Sequence, residues 1–222
     1  MSTVTSSSND ATDRRSVEQR RTELIDAAVA VLSEDGLDRA TTRAITDRAG
    51  LALGAFHYAF DSKRELLAAV TEQIAQSLVA GLQASLDEVG DDLPPAVGEP
   101  ARVADHLRRL LDRFWERLEQ TPELQLAQYE LTVHALRQPG MQTVAASHYD
   151  RCVDAVADAI ARVRGGPRDE AVGELARFVV ATLDGLLLHR LVEGDGAAAR
   201  RRLERYLDSL ETIVAVHLEP TG

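Results

Sequence analysis

Thr41 to Phe60 reads TTRAITDRAGLALGAFHYAF, and this stretch decides the fold. Apolar residues recur at helical spacing on both sides of a glycine. The spacing predicts one short helix over Thr42–Ala49 and a second over Ala52–Tyr58, joined across Gly50-Leu51. Ala44, Ile45, Ala49, Leu51 and Phe56 fall on the inward faces. Gly50 stands at the sharp turn, where a side chain is costly, and Gly54 lets the second helix lie close to its neighbour. Helix, glycine turn and short second helix form the arrangement that lays the second helix in a DNA major groove.

Working outward, Ser16 and Gln19 read as a capping box opening a first helix, with Val17, Leu24, Ala28 and Val31 on one face and Gly36 as its stop. Residues 1–15 are polar and serine-rich and are expected to be a disordered tail. Ser62 and Glu65 form a second capping box. A long helix follows, with Leu66, Val70, Ile74, Leu78 and Leu82 aligned, and the proline-rich run Leu93–Pro100 ends it. Five more amphipathic stretches complete nine expected helices and no strand. An all-α fold also suits a chain with 4% aromatic residues that is rich in Ala, Leu, Arg and Glu.

The net charge is −11, which by itself opposes nucleic acid. Its distribution changes that reading. From Arg14 to Leu66, nine basic side chains balance nine acidic ones, so the excess negative charge lies almost wholly after Leu66. A neutral N-terminal head is compatible with a phosphate backbone. Lys63 is the only lysine in the chain.

Several function classes drop out. Cys152 is the only cysteine, which excludes an intrachain disulfide and a cysteine-based zinc site. His148 and Cys152 are one helical turn apart, but no further ligands stand near them in sequence, so no metal is expected. No phosphate-binding glycine loop, serine elbow or metal-spaced His/Glu motif is present, so neither an enzyme nor a cofactor is expected. Asp184 interrupts the longest apolar run, Phe178–Val192, and the N-terminus carries no apolar leader. A soluble cytoplasmic protein without a membrane segment is the expectation.

The stretch Thr41–Phe60, with Ala27-Ala28 and Gly36-Leu37 before it and Lys63 and Leu66 after it, resembles the N-terminal signature of the TetR family of transcriptional regulators. Leu183-Asp184-Gly185-Leu186 is similar to a pattern near the dimer helices of many members. The resemblance implies a three-helix helix-turn-helix domain over 16–66 and a helical ligand-binding and dimerisation domain over 67–222. It implies a homodimeric repressor that binds a palindromic double-stranded DNA operator and is released by a small-molecule inducer. Thr41 and Thr42 would cap the first motif helix and meet a phosphate. Arg43 would reach a base edge or phosphate, Leu53, Gly54 and Ala55 would face the groove, and Lys63 would hold a phosphate at the next helix N-terminus.

Three positions depart from the pattern. Ala52 stands where a capping serine is usual, His57 where a phosphate-contacting tyrosine is usual, and Ala59 where a histidine is frequent. Tyr58 directly follows His57 and reads either as a DNA contact or as core. Ala52, Leu53 and Ala55 offer thymine methyls only apolar contact, which leaves Arg43, His57, Tyr58 and DNA shape to carry specificity.

In the body, Trp115, Tyr129, His148, Cys152 and Phe178 bring large or polar groups onto Ala/Leu helices, as an inducer cavity would. Each also reads as an ordinary core or rim residue. The aliphatic interior points toward a lipophilic or acyl-type ligand. Val172, Leu175, Val179, Leu183 and Leu186 on one helix, and Leu203, Leu210, Ile213 and Val214 on the last, are expected to form a four-helix dimer interface.

Overall fold

The computed structural model describes residues 6–90 and 100–218. The described residues form ten α-helices and no strand. They are α1 (Ser6–Asp35), α2 (Thr42–Ala49), α3 (Leu53–Ala59), α4 (Lys63–Gly90), α5 (Pro100–Glu119), α6 (Pro122–Arg137), α7 (Gln142–Arg164), α8 (Glu170–Glu193), α9 (Gly196–Asp208) and α10 (Leu210–Leu218). Of the expected break at Leu93–Pro100, only Pro100 lies among them, and it opens α5.

Two expected boundaries move. Ser16 lies inside α1, which already begins at Ser6, so the Ser16–Gln19 box starts no helix and residues 6–15 are helical. Residues 1–5 of the expected tail lie outside the described residues. Once the packed half of α1 has nucleated, extension fixes few dihedrals per added residue, and Ala11, Arg14 and Arg15 are good helix formers. At the other end, the expected last helix divides at Ser209. The Ser209 hydroxyl donates to the Tyr206 carbonyl at 2.7 Å, and its N–H reaches the same oxygen at 3.0 Å. This local i−3 bonding replaces the α-helical ladder at that residue.

By packing, the chain forms two compact units, Met1–Ile74 with Glu123–Ala145, and Ala75–Pro122 with Ala146–Gly222. The first unit thus includes α1, α2, α3, the start of α4 and nearly all of α6. Its core is built from Leu24, Ala28, Val31, Leu32, Ala40, Ile45, Phe56, Phe60, Leu66 and Val70, all buried. α1, α2 and α3 pack pairwise. Arg48 clamps α2 to α1 by donating to both carboxylate oxygens of Glu34, at 2.6 Å from Nη1. The end of α1 is held by Glu130 of α6, whose carboxylate accepts the Leu37 N–H at 2.7 Å. Gly36, at φ 80°, lies beside that carboxylate in a backbone conformation that side chains strain.

The second unit is a helical bundle. α10 packs on α5 and α8, and α9 bridges the same two helices. Its core includes Val103, Leu107, Leu110, Leu111, Trp115, Ile160, Val172, Leu175, Val179, Leu183, Leu203, Leu210 and Val214. Arg108 pairs with Asp208 at 2.6 Å and Arg200 pairs with Asp112, fixing the register of α5 against α9.

The expected dimer stripe is thereby corrected. Val172, Leu175, Val179, Leu183, Leu203, Leu210 and Val214 are buried within the unit's own core. What α8 and α10 expose instead is Phe178, Leu188, Val192 and Val216. A helical period reveals an apolar stripe but not its partner, and the densest stripe covers the chain's own core first.

Candidate nucleic-acid interface

α2 and α3 are set by local chemistry. Thr41 adopts an extended conformation and its hydroxyl accepts the Ala44 N–H at 3.1 Å, capping α2. Thr42, the first helical residue, is half-buried. At the far end Gly50 takes φ 68°, and the N–H groups of Gly50 and Leu51 return to the carbonyls of Asp47 and Thr46. This glycine-terminated end turns the chain sharply into α3. Ala52 opens α3 without any side-chain cap bond, as its methyl dictates.

The inward face of the motif is Ile45, Phe56, Ala59 and Phe60, with the two phenyl centroids 5.9 Å apart. Buried Thr46 satisfies its hydroxyl on the Arg43 carbonyl at 3.0 Å. Ala44, Ala49 and Leu51, expected inside, are only half-buried.

The outward face carries most of the residues expected to meet DNA. The Arg43 side chain is 85% exposed, and it makes a loose ion pair to Asp47 at 3.9 Å. Such an i,i+4 pair in water is weak and leaves the guanidinium available. Leu53, Gly54 and His57 are exposed and Ala55 is half-buried. Tyr58 is 78% exposed, so the structure takes it out of the core and turns it outward.

α4 begins at Lys63. Ser62 Oγ accepts the Glu65 N–H at 3.2 Å, and Glu65 Oε2 accepts the Asp61 N–H at 2.8 Å. The reciprocal bond thus lands one residue before the cap. The Asp61 N–H on its carboxylate, with Arg21 beside it, holds the Glu65 carboxyl below its ordinary range. Lys63 occupies the helix N-terminus, where unsatisfied N–H groups and its own ammonium both favour an anion.

In the second unit the expected ligand residues separate. Trp115 is completely buried, and its indole N–H finds no acceptor among the described residues. His148 is buried and meets the Tyr149 ring edge-on at 5.4 Å. Cys152, half-buried, has its thiol pushed up to about 11 by burial and by the Asp184 carboxylate. Phe178 is exposed and lies beside His217, with ring centroids 5.6 Å apart. Tyr129 belongs to the first unit and lines a cleft of about 680 Å³ with Leu37, Leu126, Val133, His134 and Arg137.

Two polar groups beyond the expected ligand residues stand out, Asp184 and Tyr206. Asp184 accepts the Tyr149 hydroxyl, and burial together with that carboxylate pushes the phenol above its ordinary range. The Tyr206 hydroxyl is buried without a partner among the described residues. A polar residue amid an apolar helical run was the available signal for both Asp184 and Tyr206.

The outward Arg43 and Tyr58 on a compact helix-turn-helix, with the half-buried Lys63 opening the next helix, define the class: a DNA-binding regulator. Residues 24–70 match the family model for bacterial regulatory proteins of the tetR family, and residues 98–210 match the tetracyclin repressor-like C-terminal domain. The chain belongs to the TetR family. It is 27% identical over 212 residues to the HTH-type nicotine-responsive transcriptional repressor HdnoR of Paenarthrobacter nicotinovorans, covering 94% of this chain and 99% of that one. It is 29% identical over 196 residues to the HTH-type transcriptional regulator BetI 2 of Chromohalobacter salexigens, covering 87% and 89%. Among solved structures, the multidrug binding protein EbrR complexed with ethidium aligns with a TM-score of 0.59 and 28% identity, over 84% of this chain and 97% of that one. Among the described residues no helix is long and apolar enough to cross a membrane, and no cluster of three metal-ligating side chains occurs.

Proposed function

We propose that the chain is a homodimeric repressor that binds a palindromic operator and is released by a small organic molecule held in its second unit. The observation that carries this reading is the outward pair Arg43 and Tyr58 on α2 and α3, with Lys63, half-buried, at the start of α4. Arg43 with His57 and Tyr58 supplies polar contacts to base edges or phosphates. Leu53 and Ala55 pack on thymine methyls, and Lys63 holds a phosphate. Thr41 and Thr42 fix α2 and offer hydroxyls to the backbone. The dimer face is Phe178, Gly185, Leu188 and Val192 of α8 with Val216 of α10. Gly185 has open space around its Cα, which suits close helix approach across a two-fold axis.

The ligand site is placed around Cys152, Tyr149 and Asp184, which interact with one another, with His148 against the Tyr149 ring; Trp115 and Tyr206 are buried polar groups of the same unit. Buried donors without acceptors, as at Trp115 and Tyr206, are satisfied when a bound molecule supplies them. The half-buried Asp184 carboxylate beside the Tyr149 phenol favours an organic cation over the lipophilic or acyl ligand that composition alone suggests. The nicotine-responsive relative and the ethidium complex support the same class. Release requires that the ligand bind the DNA-incompetent state more tightly. α6 offers a route, because it is covalently continuous with α5 and α7 and holds the end of α1 through Glu130.

Fluorescence anisotropy with a duplex spanning the region upstream of its own gene tests the first half. Tight binding at moderate salt, exceeding binding to a scrambled duplex, is expected; equal binding to both overturns the repressor reading. Ethidium titrated into wild type and Asp184→Asn tests the second half. The variant is expected to lose about tenfold or more in ethidium affinity, as removing the anionic partner of a cation does, with DNA affinity unchanged. Equal ethidium affinities overturn the assignment of the site.

A further inference from the structure

We infer that Arg21 of α1 is the positioning residue of the DNA interface: it locks the joint between α3 and α4, and through it the placement of Lys63. The inference rests on the DNA-binding reading of this head. Three independent contacts converge on one guanidinium. Arg21 Nη1 donates to the carbonyl of Ala59, the last residue of α3. The same nitrogen donates to Glu65 Oε1 at 2.9 Å, in the first turn of α4. The guanidinium carbon lies 4.1 Å from the centroid of the Phe60 ring, which is itself buried in the joint.

The Glu65 carboxylate passes the constraint on. Its other oxygen holds the Asp61 N–H, and its own N–H is held by Ser62 Oγ. Residues 59 to 65 are thus tied, link by link, to α1. Tyr58, exposed, immediately precedes that tied segment, and Lys63, half-buried, lies within it, directly after Ser62.

The chemistry of each end explains why arginine stands here. The end of α3 presents carbonyls without intrahelical partners and a negative dipole, which a cation satisfies. The start of α4 favours a carboxylate, and Glu65 provides it. Bridging the two needs a planar, always-charged group that can donate in several directions while stacking on a ring. Lysine has a point charge and no plane, and cannot do all three. Other basic groups of the head lack this geometry: Arg48 is committed to Glu34, and Arg43 points outward.

A double-mutant cycle tests the inference. Arg21→Met, Lys63→Ala and the double variant are titrated against the upstream duplex across a range of salt, with thermal unfolding measured on each. Lys63→Ala is expected to make the salt slope shallower by about one unit. Arg21→Met is expected to do the same without removing a phosphate-contacting group, and the double variant to bind within about twofold of Arg21→Met alone. Arg21→Lys is expected to restore thermal stability more than DNA affinity.

Independent losses that multiply in the double variant overturn the inference, as does full rescue of affinity by lysine. If Arg21→Met does not fold, Glu65→Gln enters the cycle in its place. It retains an acceptor for the Asp61 N–H and loses the charge that holds Arg21, and the same non-additivity with Lys63→Ala is expected. Absence of wild-type binding to any duplex overturns the DNA-binding reading itself. Wild-type binding with additive losses overturns only the role of Arg21.

Discussion

The two units use side chains in opposite ways. In the first, polar function is turned outward: Arg43 and Tyr58 sit on the surface over a small apolar centre of Ile45, Phe56 and Phe60. In the second, apolar residues fill the centre and the polar groups of interest are buried within it, as Trp115 and Tyr206 are. An outward site is limited by surface geometry and charge, because water already solvates its groups. An inward site is limited by desolvation, because each buried donor needs a partner. The outward groups of the first unit should therefore respond to substitution mainly in DNA affinity, and the buried groups of the second mainly in stability and ligand affinity.

The largest effect expected from this contrast is at Trp115. Trp115→Ala removes a fully buried indole and should destabilise the chain by about 3–5 kcal/mol, read as a drop in thermal midpoint. Trp115→Phe keeps most of the apolar contact and deletes the N–H. It should unfold close to wild type while ligand binding changes. A small effect of Trp115→Ala would place the centre of the second unit elsewhere.

Next in size is Gly50→Ala. The φ of 68° at this turn is strained for any side chain, although open space surrounds the position. A cost of about 1–2 kcal/mol is expected from backbone strain alone, together with weaker DNA binding as α3 is re-aimed. Unchanged stability in denaturant unfolding would count against a strained turn. Thr41→Ala follows, with about 1 kcal/mol lost from the α2 cap, measurable by the same unfolding.

The smallest effect concerns Cys152. Its raised value of about 11 against an ordinary 9.0 keeps the thiol protonated near neutrality, so alkylation of native protein should be slower than that of a free thiol. The unfolded chain releases this proton first as pH rises. The linked stability is therefore intact below about 9 and declines between about 9 and 11. Mass spectrometry after timed iodoacetamide treatment reads the first effect, since the chain has no other cysteine. Rapid native alkylation would show an accessible, activated thiol instead.

The same contrast explains what the sequence made legible. The head was readable because its instructions are local: Thr41 caps, Gly50 turns, and the spacing of Ile45 and Phe56 sets one inward face. Tyr58 was ambiguous because an aromatic next to Phe56 and Phe60 suits core and surface alike. Only the packed helix shows that its ring points outward. The start of α1 was misread because a capping box marks where a helix can begin, whereas propagation from a packed segment carried it back to Ser6. The split at Ser209 depended on one hydroxyl bonding its own backbone. The body was least legible, since apolar periodicity on α8 fits a core and a dimer face equally well. There the stripe went to the core, and Phe178 went to the surface.

The solitary lysine at the start of α4 carries a practical consequence. Because the other always-charged basic side chains are arginine, amine-directed reagents such as activated esters find one lysine ε-amine, and it stands where we propose that a phosphate is held. Surface coupling through that amine would tether the molecule by its working side and silence it. A dye placed there would report on duplex binding directly, from the group nearest the event.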